Sequence, residues 1–343
     1  MKRIAWLVPG LALVSMIGCS DKGGDSGAPG TGTDGGAGGD GGSAECGVSV
    51  SSTWPTNGET DAYYRTDIEF KLSDVDTGSP SVALADASGA TVDGSTSLSD
   101  DGKTVYFYPS APLASETSYT ATLSYCTGDA SIDFTTGSLG KDLTADIVDK
   151  AYIVDLDNAR FIEPAGVADL LLGQLTNSIL LGVLATSPDL QMVGALSVDG
   201  GTDQDTCSPT IDFPAADFSE SPYFAIGPQT TTISAAGYDI QIDNLEISGT
   251  FAEDGSYFGG GVLAGQLDAR ALAPLVADLL GTDDPDTICA TLVGFGVECQ
   301  TCDSDGAPYC ISVLVDDLTA TELGSSLVVR TDADIKADPA CAR

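Results

Sequence analysis

Between residues 46 and 140 the apolar side chains alternate with polar ones in short runs broken by turn residues. A two-residue period of this kind fits half-buried β-strands and little else. Val48 and Val50 alternate with serine, and Ile68, Phe70 and Leu72 with Glu69 and Lys71. Val82 and Leu84, Val105 and Phe107, the set Tyr119, Ala121, Leu123 and Tyr125, and finally Ile132 and Phe134 repeat the pattern. Pro55-Thr56-Asn57-Gly58 and Asp100-Asp101-Gly102 punctuate it as turns. Six or seven short strands in about 95 residues predict a small β-sandwich.

The pieces that carry this pattern also resemble a family. Pro55-x-x-Gly58, Ile68-x-Phe70-x-Leu72 and the run from Ser99 to Pro109 occur in the order of the bacterial Ig-like domain of the SbsA type (Big_5). Residues 112–119 and Phe134-Thr135-Thr136-Gly137 continue the match. The resemblance implies an Ig-like β-sandwich that spaces or presents other modules, and it implies no active site.

Residues 141–343 resemble no family with a known function, so their reading rests on pattern. Strands are expected at residues 151–156, 178–185, 190–198, 224–226, 231–234, 238–251 and 257–267. Gly259-Gly260-Gly261 inside the last of these marks a bulge or a close backbone approach. A helix is expected after Pro164, with Val167, Leu170, Leu171 and Leu175 on one face. Asp268 suits the N-cap of a second helix reaching residue 280, with Gly281 just past its end. A short third helix is expected over residues 285–293, and a hairpin around residues 302–308 that Val313, Val315, Leu327 and Val329 continue. The whole chain is therefore mainly β: an N-terminal Ig-like sandwich, then a β-rich domain, sandwich or partly open barrel, with two or three helices.

The N-terminus reads as an address. Lys2 and Arg3 precede an apolar stretch at residues 4–17, too short to span a membrane as a helix. It ends in Met16-Ile17-Gly18-Cys19, which resembles the lipobox of bacterial lipoproteins. That resemblance implies removal of residues 1–18 and a lipid on Cys19. Eleven of the 26 residues at 20–45 are glycine and none is a large apolar residue, so no core forms there. Residues 19–45 are expected to be a lipidated Cys and flexible tether with a mean reach of roughly 25–30 Å. Ser20 after Cys19 resembles the enterobacterial signal for the outer membrane, the expected location in a host with two membranes. The membrane, reached through the lipid, is the first expected partner.

Composition removes several functions. The chain carries 51 Asp+Glu against 13 Lys+Arg, a formal net charge of −38. Nucleic acid is excluded as a partner, because phosphate binding needs clustered lysine and arginine. The chain has no His, which removes Ser-His-Asp triads and His-containing metal sites. No phosphate-binding glycine loop or Gly-x-Ser-x-Gly elbow is present, and no catalytic residue is assigned.

The remaining chemistry lies in Cys and Asp. Beyond Cys19 there are eight cysteines, an even number in a chain that reads as exported, where thiols are oxidised. Cys46–Cys126, Cys207–Cys341, Cys289–Cys299 and Cys302–Cys310 are the expected disulfides, although six cysteines alone allow 15 pairings. Cys299-x-x-Cys302, with Cys289 and Cys310, also has the ligand set of a zinc site or the spacing of a redox pair. Aspartates cluster at Asp199, Asp203 and Asp205, at Asp283, Asp284 and Asp286, and at Asp303 and Asp305. Carboxylates on turns are calcium ligands, but none of these clusters fits the EF-hand loop, and no cofactor or metal is expected.

A non-enzymatic, lipid-anchored envelope protein is the expected function, with a structural, adhesive or ligand-presenting role toward another envelope component. The alternative is a module whose C-terminal β domain binds an apolar ligand such as a lipid, recognised by an apolar mouth. A third is an envelope hydrolase with paired carboxylates of raised pKa in a cleft. A continuous exposed edge strand or apolar patch favours adhesion.

Overall fold

The computed structural model describes residues 47–126, 128–164, 177–235, 238–271, 273 and 281–341. The N-terminal strands form two facing sheets. One runs in the order β1 (Val50–Trp54), β3 (Ile68–Leu72), β7 (Thr104–Pro109), β6 (Gly94–Leu98). The other runs β2 (Glu59–Ala62), β9 (Gly128–Thr136), β8 (Ser118–Tyr125), β4 (Ser81–Asp86), β5 (Thr91–Val92). Every second residue points inward, so Phe70, Leu84, Val105, Leu123 and Phe134 meet in one core. Burying side chains of this size is worth about 1.5–3 kcal/mol each. The expected six or seven strands become nine, because β5 and β6 are edge pieces that alternation does not mark. All five residues of β6 are exposed.

The C-terminal residues build one nine-stranded sheet. Its main path is β14 (Ile211–Asp212), β13 (Gln191–Leu196), β12 (Ile179–Ala185), β10 (Ala151–Asp155), β18 (Cys310–Glu322), β17 (Tyr257–Asp268), β16 (Tyr238–Phe251), β15 (Tyr223–Ala235). β11 (Arg160–Glu163) pairs with β18 off this path. In a flat sheet with strands about 4.8 Å apart, Tyr152 on β10 would lie roughly 14 Å from Phe251 on β16, three strands away. Their rings are 5.4 Å apart. The sheet is therefore rolled into a nearly closed barrel, the partly open form of the two architectures expected.

Its interior is filled. Tyr152, Phe224, Phe251 and Phe258 are fully buried and stack on one another at 4.7–5.9 Å. The Tyr152 hydroxyl donates to the Gly255 carbonyl at 2.9 Å, which satisfies the one polar atom those rings bring inside.

Three sequence expectations are corrected. Phe224–Ile226 and Thr231–Ser234 belong to one strand, β15, which passes through Gly227-Pro228 with a shift of register. An edge strand tolerates a proline that an inner strand would not. The expected hairpin at 302–308 is a loop held by a single bridge, Gln300 to Cys310. The second strand, β18, forms, while the Cys302–Cys310 bond and an Asp305 turn stand where the first was expected. Leu327 and Val329 lie beyond β18 and are not in a strand. Leu327 packs over Gly182 instead, covering the outer face of β12.

The short helix is where the sequence placed it: α1 (Pro285–Val293), capped by Asp284, whose carboxylate accepts from Thr287 N. It roofs a satellite core of Ile240, Ala269, Ile288, Val297 and Ile311. The expected helix at 165–175 lies outside the described residues, as does most of that at 268–280. A further helix, α2 (Asp332–Ala337), begins with a Thr331/Asp334 capping box.

The sandwich and the barrel meet along a seam, within one compact unit from Cys46 to Arg343. Tyr63 stacks over the backbone of Gly260, and its hydroxyl lies 2.8 Å from Thr250 Oγ1. Arg65 donates to Tyr64 Oη at 3.0 Å and to Glu220 at 2.9 Å, and lies 4.0 Å over the Tyr223 ring. Arg160 on β11 donates to Asp316 at 2.6 and 2.8 Å and to Glu69 of the sandwich at 3.1 Å. Its guanidinium lies 4.4 Å from the Trp54 ring. Two cations thus hold six partners, four of them across the seam, in a geometry only arginine provides.

Candidate functional site

The cysteines come first, because they brace the end of the barrel away from the seam. Cys289 is bonded to Cys299, Cys302 to Cys310, and Cys207 to Cys341. Cys126, just after β8, is also disulfide-bonded. Cys19 and Cys46 lie outside the described residues. The four cysteines of the C-x-x-C cluster are held in two separate bonds, so their sulfurs are not thiolates for zinc or redox exchange.

The aspartate clusters serve local structure. Asp205 accepts from Cys207 N and Ser208 Oγ, Asp284 caps α1, and Asp286 accepts from the Tyr309 hydroxyl. Asp303 accepts from Asn244, while Asp305 accepts from Ala307 N and pairs with Arg270. Hydrogen bonds of this kind hold the carboxyls of Asp284 and Asp305 below their ordinary pKa. Among the described residues, no three His, Cys, Asp or Glu side chains converge as a metal site.

One carboxyl is pushed the other way. Desolvation by the protein around it, then the like charges of Asp316, Glu59 and Asp61, raise the pKa of Asp317 against the pull of Arg160, although the residue itself is exposed. Its partners place it at the seam, on a residue whose φ is +52°.

A groove of about 570 Å³ opens beside β11. One wall is Ile162 and Glu163 at the end of β11; the other is the loop after α1, with Phe295 and Glu298. Gln300 and Ser312 form the floor, their side chains hydrogen-bonded to each other. Phe295 lies between two glycines and is 53% exposed. It is not loose: Phe295 N donates to Leu292 O at 2.9 Å, Val297 beside it is buried, and Cys299 is bonded back into α1. Ile162, also partly exposed, is the second large apolar residue that lines the groove from the surface. No lysine or arginine lines the groove, and Glu163 and Glu298 make no ion pair or side-chain hydrogen bond among the described residues. None of these groove residues stood out in the sequence, although the isolated Gly294-Phe295-Gly296 was a legible signal of a displayed aromatic.

The barrel has a second exposed feature. β15 ends the strand order, and its 13 residues carry no charge. Among the described residues no strand pairs with its outer edge.

Comparison with known proteins bears mainly on the sandwich. Residues 45–138 match the model of the bacterial Ig-like domain family Big_5. No curated protein matches the chain in sequence. Among solved structures, an L,D-transpeptidase from Mycobacterium tuberculosis H37Rv is similar at 15% identity, covering 57% of this chain and 74% of that one, with a TM-score of 0.22. Tandem Ig repeats of Dlar match at 9% identity over 48% and 95%, TM-score 0.19. The S-layer protein rSbsC(31-844) matches at 8% identity over 82% and 53%, TM-score 0.21. Scores this low carry no argument about activity. The Ig-like region and the disulfides fit a structural or adhesive protein.

Proposed function

We propose that this is a lipid-anchored protein of the cell envelope, in the outer membrane where the host has one. Cys19 would hold the membrane, residues 20–45 would give reach, and the Ig-like region would act as a stem for the C-terminal barrel. The role is structural, adhesive or ligand-presenting, and no catalytic step is assigned to it. The seam carries this reading. A stem that merely linked modules would need no shared contacts, whereas here Arg65 and Arg160 each bind groups on both sides. The barrel is therefore held in a fixed orientation on its stem. The reading of an apolar ligand inside the barrel loses ground, because the interior is occupied by aromatic rings. The groove beside β11 offers a surface for binding.

The test begins with the intact mass of the membrane-extracted protein, before and after reduction. Lipidation predicts a mature N-terminus at Cys19 carrying acyl mass, and loss of membrane association in Cys19→Ala. An unlipidated chain, or a Cys19→Ala variant that stays with the membrane, would refute the anchor. Protease treatment of intact cells then separates surface display from display toward the periplasm.

A further inference from the structure

We infer that the groove beside β11 binds an extended, lysine- or arginine-bearing segment of another protein, laid along the free edge of β11. This rests on the reading that the barrel presents a surface to a partner. Three observations carry it. β11 pairs with β18 on one side, and among the described residues no strand pairs with the other. A strand added on that side would gain main-chain hydrogen bonds. The groove is also lined by Phe295, whose backbone is held by Leu292 O, and by Ile162 on the other wall. A rigid, exposed aromatic is the kind of anchor that concentrates binding energy, because little freedom remains to be lost on contact.

Charge selects the occupant. Glu163 and Glu298 line the groove on its two walls, and among the described residues they have no side-chain partner and meet no basic residue there. A neutral or acidic segment would leave them unpaired, whereas a cationic one pairs both. The same argument disfavours a second copy of this chain, whose net charge of −38 repels its like. Gln300 and Ser312 on the floor supply further polar contacts.

The test uses the full-length, membrane-extracted protein in neutral detergent micelles. The probe is a fluorescent pentapeptide, Leu-Lys-Phe-Lys-Leu, blocked at both ends, with glutamate and glutamine analogues in place of lysine. Binding is read by anisotropy. The lysine peptide is expected to bind, the glutamine peptide about tenfold more weakly, and the glutamate peptide not at all. Glu163→Gln/Glu298→Gln and, separately, Phe295→Ala should each weaken binding about tenfold, with circular dichroism and disulfide mass unchanged. Asp100→Asn/Asp157→Asn, which removes two exposed carboxylates elsewhere, should leave it unchanged. Equal loss in both carboxylate pairs would mean diffuse attraction to an acidic surface, and would overturn the assignment. So would equal binding of all three peptides, or none of them binding. The anchored-stem reading is judged separately, by membrane association, so a failure here sinks the groove alone.

Discussion

Gly260 has φ +56°, and a Cβ built there would lie 2.1 Å from the Tyr63 ring. Gly260→Ala therefore adds both backbone strain and a steric clash at the seam. A loss of about 2–4 kcal/mol is expected by urea unfolding, with Tyr63→Ala restoring part of it in the double variant. If the two substitutions proved additive, the contact would not be the cause. The triple glycine was legible in the sequence as a close backbone approach. What approached it was not, because Tyr63 lies nearly two hundred residues away and no local pattern links the two. Asp317 gives the second prediction at this scale. Its raised pKa means that the fold holds the proton more tightly than the unfolded chain does. The stability this contributes is complete below the ordinary carboxylate pKa and is lost as pH rises through the folded value. Asp317→Asn removes the like-charge crowding and keeps a residue that tolerates positive φ. Because this side chain is exposed and its neighbours' charges are screened by water, the gain is expected to be small, about 0.2–0.5 kcal/mol at neutral pH, and to vanish in acid. Thermal unfolding at both pH values checks the sign.

The elements divide by how far their signals are local. α1 was readable because Asp284, Pro285 and Gly294 mark its ends, and replacing Asp284 by alanine should cost about 1 kcal/mol. α2 was also marked, by Thr331 and Asp334, but a six-residue helix has too little apolar face to draw attention. β6 was unreadable because a strand wet on both faces does not alternate. The disulfides show the same contrast in energy. Cys302–Cys310 closes a separation of 8 residues and Cys207–Cys341 one of 134. In the chain-entropy model the first is worth roughly 2.5 kcal/mol and the second roughly 5. Replacing both cysteines of the longer bond by alanine should therefore lower the denaturant midpoint more. The C-terminal segment that it fastens also covers β12, so protease sensitivity should appear there first. Equal losses in the two double variants would show that the C-terminal segment holds without its bond. The groove drew no signal because its walls come from β11, β18 and the loop after α1, brought together only by sheet pairing and by the Cys289–Cys299 bond.

At the scale of the molecule, the seam decides whether the sandwich and barrel behave as one body. Arg160 neutralises Asp316 and Glu69 from opposite sides and lies against Trp54, while still partly wet at 30% side-chain exposure. Its removal leaves two carboxylates facing each other without a cation. The cost falls between that of an exposed pair and that of a buried one, about 2 kcal/mol. Arg160→Lys keeps the charge but loses the forked geometry and the ring contact, so it should recover only part of that loss. The stronger consequence concerns cooperativity. Each side has its own filled core, and among the described residues Arg160 and Arg65 couple them, together with the packing of Tyr63 and Tyr64 against Thr250 and Gly260. The protein with its disulfides intact should melt in one calorimetric transition. In Arg65→Ala/Arg160→Ala that transition should separate into two, because each core retains its own packing while the energy that joined them is gone. A single transition merely shifted to lower temperature would mean that the cores are coupled by something other than the arginines, and that the stem does not hold the barrel through these contacts.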